Sequence, residues 1–272
     1  AVEASQKYEK VLFFAGLDDQ SDLEGKDREN LLLPSNQIKL INELLSMGKR
    51  VCLILFGGSI VELPFVNSVQ AILMMYLPGQ GGGEACYRLI YGEVNPSGHL
   101  AESWPEAYTD VPFGSEYGKS TRDLYKESVF VGYRYYSSAH IRTLFPFGYG
   151  LSYTTYTYTN LKLEKTAIKE GEDIRFTVDV TNTGRMDGDE IVQVYLTDLY
   201  CRITQSEKRL KAFRRVHIPA GETCTVSFTL PYSSLSFLNE YLKPEVEAGE
   251  FELRVAPNCM EGLTVRLTAE GK

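Results

Sequence analysis

The chain has 272 residues, a length at which two domains are the usual arrangement. Its composition is that of an ordinary globular protein, with 43% hydrophobic and 24% charged residues. The net charge of −8 argues against nucleic acid or an anionic membrane surface as a partner, and no apolar run is long enough to cross a bilayer. The five cysteines show no CxxC spacing, which favours a reducing compartment and gives no disulfide framework.

Residues 1–104 carry the pattern of an α/β domain. Short apolar runs predict three strands covered on both faces, at 11–15, 51–56 and 69–76. Helical spacing of apolar residues predicts helices over 34–45 and 83–91. Strands alternating with helices predict a mainly parallel sheet with flanking helices.

The second half of the chain has a different period. Residues 105–157 form an aromatic segment rich in Gly and Pro, which we expect to connect two domains. Strict alternation of apolar and polar residues then predicts strands at 173–180, 191–196, 224–230 and 250–255. Residues 158–272 are therefore predicted to form an all-β, immunoglobulin-like sandwich of seven strands. The basic run 208–215 also alternates, and we interpret it as the polar face of a strand.

The sequence lacks the motifs of several common kinds of functional site. The Gly-rich turn 78–85 has Glu84 where a dinucleotide fingerprint needs its last Gly, so close packing of a strand against a helix explains it better. The three histidines are isolated in sequence, which excludes the usual zinc groupings. Gly57-Gly-Ser-Ile-Val61 lacks the closing Gly of a serine nucleophile elbow. No metal and no cofactor is expected.

The loop 17–30 is unusually acidic and follows the first predicted strand. Six carboxylates lie within it, at Asp18, Asp19, Asp22, Glu24, Asp27 and Glu29. The carboxyl ends of strands in open α/β sheets are where ligand sites form. Mutual repulsion could hold one of these carboxyls protonated near neutral pH, and glycoside cleavage needs a protonated carboxyl at the leaving-group oxygen. On these arguments alone a solvated surface turn is the favoured interpretation, because acidic loops are common and few are catalytic.

Several segments together resemble glycoside hydrolase family 3. Glu24-Gly-Lys-Asp-Arg28, followed by Leu31-Leu-Leu-Pro34 and Gln37, is similar to the family's E-G-x-D-R…L-x-L-P-x-x-Q segment. Further similar motifs follow in family order: Asn95-Pro-Ser-Gly98, Val131-Gly-Tyr-Arg-Tyr-Tyr136, Phe145-Pro-Phe-Gly-Tyr-Gly-Leu-Ser-Tyr153 and Leu210-Lys-Ala-Phe213. The resemblance runs over nearly the whole chain.

The resemblance implies a retaining β-glycosidase built from a (β/α)8 barrel, an α/β sandwich and a fibronectin III-like domain. It places the acid/base glutamate at Glu24, and the nucleophilic aspartate in the barrel. Asp27 and Arg28 are then expected to orient the loop or to contact the sugar. The implied substrate is a β-linked oligosaccharide or glycoside.

Residues matching the barrel and its S-D-W aspartate are missing from this sequence. The opening strand and helix of the α/β sandwich also have no match, so we expect further residues upstream. The barrel is expected in the same parent protein or on a partner chain, and this chain alone is expected to be nearly inactive. A non-catalytic carbohydrate-binding or assembly module remains the alternative. We further expect a cytoplasmic location, or a periplasmic or secreted one if an upstream signal is missing, and a homodimer is possible.

Overall fold

The computed structural model describes residues 1–122 and 124–270, which form two compact units. One unit consists of Ala1–Glu93 and Trp104–Gly114. The other consists of Val94–Ser103 and the described residues from Ser115 onward. The sequence predicts domains that are continuous along the chain, with boundaries at 104 and 157. In the structure, segment 94–103 belongs to the second unit, although the chain then returns to the first unit. Within the described ranges, no helix is both long and apolar enough to cross a membrane.

The first unit is a layered α/β structure. Its elements are α1 (Val2–Ser5), β1 (Lys10–Gly16), α2 (Ser35–Ser46), β2 (Arg50–Phe56), β3 (Ala71–Tyr76), α3 (Gly82–Ile90) and β4 (Trp104–Pro105). Strands β1, β2 and β3 pair in parallel in that order, which confirms the predicted parallel sheet. The core centres on β2, where Val51, Leu53 and Ile54 are at most 1% exposed.

Strand β1 corrects one prediction. The run 11–15 was expected to be covered on both faces, yet Leu12 is 44% and Phe14 is 59% exposed. β1 is an edge strand of the sheet, and its side chains alternate between a covered and an open face. A continuous apolar run predicts a strand with two apolar faces, but it does not indicate whether another element covers each face.

The Gly-rich turn after β3 packs tightly against the start of α3. A Cβ atom placed on Gly82 would lie 2.6 Å from Pro78 Cγ, which is closer than atoms can approach. Gly79 has a φ of +70°, a conformation that side-chain-bearing residues rarely adopt. The turn therefore shows the close strand-to-helix packing that the sequence predicts.

The second unit is a β-sandwich preceded by a short helix. Its elements are α4 (Tyr133–Ser138), β5 (Thr143–Phe145), β6 (Tyr156–Leu163), β7 (Ala167–Ile168), β8 (Ile174–Asn182), β9 (Gly188–Asp198), β10 (Arg209–Ile218), β11 (Thr223–Leu230), β12 (Phe237–Leu238), β13 (Pro244–Glu245), β14 (Gly249–Ala256) and β15 (Leu263–Ala269). One sheet has the order β10-β9-β14-β15-β7 and the other β11-β8-β6. Apolar side chains from both sheets fill the space between them, as in immunoglobulin-like sandwiches.

The two sheets together contain eight described strands where seven were predicted. Strand β6 escaped prediction because its apolar positions change phase at a register shift between Thr159 and Lys162. Tyr156 and Tyr158 precede the shift, Leu161 lies within it, and Leu163 follows it. Asn160, inside this irregularity, has a φ of +54°. Strand β15 alternates regularly, so its sequence carried a signal that the prediction missed.

Two of the family-like motifs meet inside the second unit. Asn95 Oδ1 accepts hydrogen bonds of 2.8 Å from Ser152 Oγ and from the Tyr153 backbone N–H. Asn95 Nδ2 donates to the Asp187 carbonyl at 3.0 Å. The asparagine of the N-P-S-G motif therefore joins the G-L-S-Y motif to the turn before β9.

Candidate functional site

The acidic loop 17–30 begins at the carboxyl edge of the parallel sheet. Strand β1 ends at Gly16 and β2 ends at Phe56, so the connections that follow them start side by side. Leu17 N–H donates to the Phe56 carbonyl at 3.1 Å. Further along, the Glu62 N–H donates to the Leu31 carbonyl at 2.6 Å. Both ends of the acidic loop are thus attached to β2 or to the connection that follows it.

Gln37 holds Gly16, the last residue of β1, through two hydrogen bonds. Its Oε1 accepts from the Gly16 N–H at 3.0 Å, and its Nε2 donates to the Gly16 carbonyl at 2.9 Å. The side chain comes from the first turns of α2, so it links the helix to the last residue of β1. The glutamine of the family-like segment therefore has a structural role in fixing where the loop begins.

Gln37→Leu is expected to lower the free energy of unfolding of the first unit by about 1–3 kcal/mol. The substitution leaves the partly buried N–H and carbonyl of Gly16 without their partner, and unpaired buried groups cost about this much. Urea denaturation followed by the fluorescence of Trp104, the single tryptophan, which is buried in this unit, measures it. Gln70→Leu removes an exposed glutamine as the control, and an equal loss in both variants would contradict the interpretation.

Two of the loop's carboxylates are used to fold it. Asp18 Oδ1 accepts from the Ser21 hydroxyl at 2.7 Å and from the backbone N–H groups of Gln20 and Ser21 at 3.2 and 3.0 Å. Asp22 Oδ2 accepts from the Gly58 N–H at 2.9 Å, which ties the loop to the connection after β2. These aspartates therefore have structural partners.

Asp18 is not the carboxyl that crowding was expected to keep protonated. The Ser21 hydroxyl and the backbone donors hold the pKa of Asp18 below its usual value. Donors aimed at a carboxylate favour its ionised form.

Arg28 anchors the far side of the loop. Its Nη1 donates to Ser59 Oγ and to the Ile60 carbonyl, both at 2.9 Å. Burial lowers the pKa of Arg28, and the charge of Asp22 offsets part of that effect. Asp27, the other residue expected to orient the loop, is exposed. No role was predicted for the connection 57–62, yet this connection holds Asp22, Arg28 and Leu31. Its Gly-Gly-Ser sequence directly after a strand is the feature that could have indicated such a role.

Glu24 lies at the tip of a closed turn. Leu23 and Lys26 form a β-bridge, and the Lys26 N–H donates to the Leu23 carbonyl at 3.3 Å, so Glu24 and Gly25 are the two central residues. The Glu24 side chain is exposed and forms no hydrogen bond or ion pair with any residue in the described ranges. Asp19 and Glu29 share that property, and Asp19 also lies in a turn, which the Ser21 N–H closes onto the Asp18 carbonyl at 2.9 Å. Glu24 differs in that its turn is flanked by the Leu23–Lys26 β-bridge.

The likeness to known proteins decides the family. Residues 1–153, more than half of the chain, match the profile described as the glycosyl hydrolase family 3 C-terminal domain. The chain belongs to glycoside hydrolase family 3. Residues 190–259 of this family 3 chain match a fibronectin type III-like domain, in agreement with the β-sandwich of the second unit.

Individual family 3 relatives match nearly the whole chain. The thermostable β-glucosidase B of Acetivibrio thermocellus is 40% identical over 253 residues, which cover 92% of this chain and 34% of that protein. An exo-α-(1→6)-L-arabinopyranosidase of Bifidobacterium breve is 35% identical over 100% of this chain and 36% of its own length. The crystal structure of a β-glucosidase from Kluyveromyces marxianus in complex with glucose superposes with a TM-score of 0.92, at 34% identity, over 99% of this chain and 33% of that one.

The family 3 chain spans about a third of the length of the relatives it matches. Those relatives include proteins named for two different glycosidase activities. Among residues 1–122 and 124–270, there is no cluster of three or more His, Cys, Asp or Glu side chains that could hold a metal ion. The five cysteines are all free.

Proposed function

We propose that this chain supplies the general acid/base glutamate, Glu24, of a retaining β-glycosidase that releases terminal β-linked glucose. The observation that carries the proposal is the position of Glu24, exposed at the tip of a turn in a loop braced by Gln37, Asp22 and Arg28. The kinship with proteins named β-glucosidases supports glucose as the sugar. Membership of family 3 supports hydrolysis as the reaction.

The proposed reaction has two steps. In the first, protonated Glu24 gives its proton to the glycosidic oxygen while a second carboxylate attacks the anomeric carbon and the bond to the leaving group breaks. In the second, ionised Glu24 takes a proton from water, which attacks the anomeric carbon and releases the sugar. A second carboxylate about 5–5.5 Å away would favour the protonated form of Glu24 at the start of the cycle, because two nearby negative charges repel.

The second carboxylate is proposed to come from a (β/α)8 barrel, either in the same parent protein or on a partner chain. Arg28 is proposed to position the loop, since its guanidinium contacts Ser59 and Ile60. Asp27 keeps its predicted role of orienting the loop or contacting the sugar. A cytoplasmic location and a homodimer also stay predictions.

The purified 272-residue chain is expected to show almost no turnover of an aryl β-glucoside, because the proposed nucleophile lies outside it. A chain that joins these residues to the barrel is expected to be active. Release of nitrophenol from 4-nitrophenyl β-glucoside measures both. Clear turnover by the 272-residue chain, abolished by Glu24→Gln, would show that the nucleophile lies within it and would contradict the division of labour. The role of Glu24 itself is tested by the same substitution in the complete enzyme.

A further inference from the structure

A cleft of about 570 Å³ lies within the second unit, between the segment 94–103 and the edge of the β-sandwich. This volume is in the range of small-molecule sites. Its rim includes Ser97, Leu151, Thr155 and Thr157, so hydroxyl groups lie beside apolar surface. His99 and Glu190 also line the cleft.

Glu190 is a deeply buried charged residue that borders this cleft. Its side chain is 6% exposed, and that of His99 is 10% exposed. Tyr158 Oη donates to Glu190 Oε1 at 2.6 Å, so one carboxylate oxygen has a strong partner. Burial raises the pKa of Glu190, while the Tyr158 hydroxyl and the His99 charge work in the opposite direction. A buried carboxyl of this kind needs compensation, and His99 is positioned to supply it.

Two carbonyls and an amide nitrogen surround Nδ1 of His99. Nδ1 is 2.5 Å from the Gly148 carbonyl, 3.1 Å from the Pro257 carbonyl and 3.4 Å from Gln193 Nε2. Carbonyl oxygens only accept and are the nearer neighbours, so the geometry favours a hydrogen on Nδ1. The other nitrogen, Nε2, faces Glu190 Oε2 at 3.8 Å. An imidazole nitrogen and a carboxylate oxygen therefore face each other across a short gap.

The gap between these two atoms has a defined chemistry. At 3.8 Å it is too long for a direct hydrogen bond, but an oxygen atom beside it can lie within hydrogen-bond distance of both. A hydroxyl group fits this position, because a hydroxyl can both accept and donate a hydrogen bond, and the Oε2 carboxylate oxygen is an acceptor for its hydrogen.

Two further acids line the cleft, Asp189 and the exposed Glu261. Asp189 accepts from Arg215 Nε and lies 2.7 Å from His217 Nδ1, so cationic or hydrogen-bonding partners already surround it. Glu190 accepts from the Tyr158 hydroxyl and faces His99. The walls of the cleft are therefore rich in hydrogen-bonding groups.

We propose that this cleft binds a neutral polyhydroxylated ligand, a sugar or polyol, with one ligand hydroxyl bridging His99 Nε2 and Glu190 Oε2. The apolar rim at Leu151 and the hydroxyl groups of Ser97 and Thr157 suit the mixed surface of a sugar ring. The site is independent of Glu24 and of the reaction proposed for it. It gives the second unit a ligand of its own.

Cellobiose titrated into the 272-residue chain by isothermal calorimetry tests this site. Wild type and Glu24→Gln are expected to bind it equally, in the low millimolar range or tighter. Glu190→Gln is expected to bind about tenfold more weakly, because a hydrogen bond to a charged group is lost. Its fold should survive, since the Gln side-chain oxygen can still accept from Tyr158.

Glu252→Gln is the matched control, because Glu252 is a partly buried glutamate of the same sandwich that pairs with Arg254. Melting temperatures of the variants check that the fold is retained. Absence of cellobiose binding to wild type, or equal binding by Glu190→Gln, would overturn the site. Binding of Ca²⁺ that cellobiose does not displace would overturn the ligand class.

Discussion

Glu24→Gln in the complete enzyme is expected to lower kcat/KM for cellobiose by about 10²–10⁴, the usual contribution of general acid catalysis. The leaving sugar alkoxide is a poor leaving group and needs the proton. For 2,4-dinitrophenyl β-glucoside, whose phenolate leaves without help, kcat/KM should change by less than about tenfold, because this ratio reports only the steps up to glycosyl transfer.

The second step gives an independent signature of the same substitution. Gln cannot activate water, so the glycosyl-enzyme should accumulate even with the activated substrate. Both kcat and KM for 2,4-dinitrophenyl β-glucoside should then fall together, with a burst of dinitrophenolate in the first turnover. Stopped-flow absorbance measures the burst.

Asp19→Asn and Glu29→Gln are matched controls for Glu24. Both residues belong to the same loop and, like Glu24, form no hydrogen bond or ion pair with the part of the chain that the structure describes. They should leave both substrates nearly unaffected. If Glu24→Gln lowered kcat/KM equally for cellobiose and the activated glucoside, Glu24 would not be the acid, and the alternative of a non-catalytic module would gain support.

Arg28→Met should lower kcat/KM for cellobiose by up to about 10² at temperatures well below its melting temperature. Both described hydrogen bonds of Arg28 come from Nη1 and hold the loop to Ser59 and Ile60. Their loss lets the turn that carries Glu24 move, and a displacement of about 1 Å at a catalytic group can cost a factor of this size. Arg28→Lys should recover part of the activity, since an ammonium can replace a single donor atom.

A double-mutant cycle separates positioning from direct contact. If Arg28 acts only through Glu24, the double variant should be no slower on cellobiose than Glu24→Gln alone. Additive losses would instead indicate that Arg28 touches the sugar. Arg50→Met is the control, because Arg50 forms an exposed ion pair with Glu9 in the same unit, and such pairs contribute little.

The spacing of apolar residues along the sequence was sufficient to predict most of the fold. Runs apolar on both faces indicated the parallel strands β1, β2 and β3, and strict alternation indicated β8 and β14, because a strand's burial pattern is local. The failures have specific causes. The register shift in β6 breaks its period, and the open face of β1 depends on what covers it, which no local pattern contains.

The candidate site divides in the same way. The sequence by itself determined the family-like segment around Glu24 and the position of its loop after a strand, since motifs and strand order are written along the chain. Only the tertiary structure decided that connection 57–62 braces the loop, that Gln37 holds Gly16, and that His99 meets Glu190 across the chain. Those contacts join residues far apart in sequence, and their partners are chosen by the packing of sheets and helices rather than by any local preference.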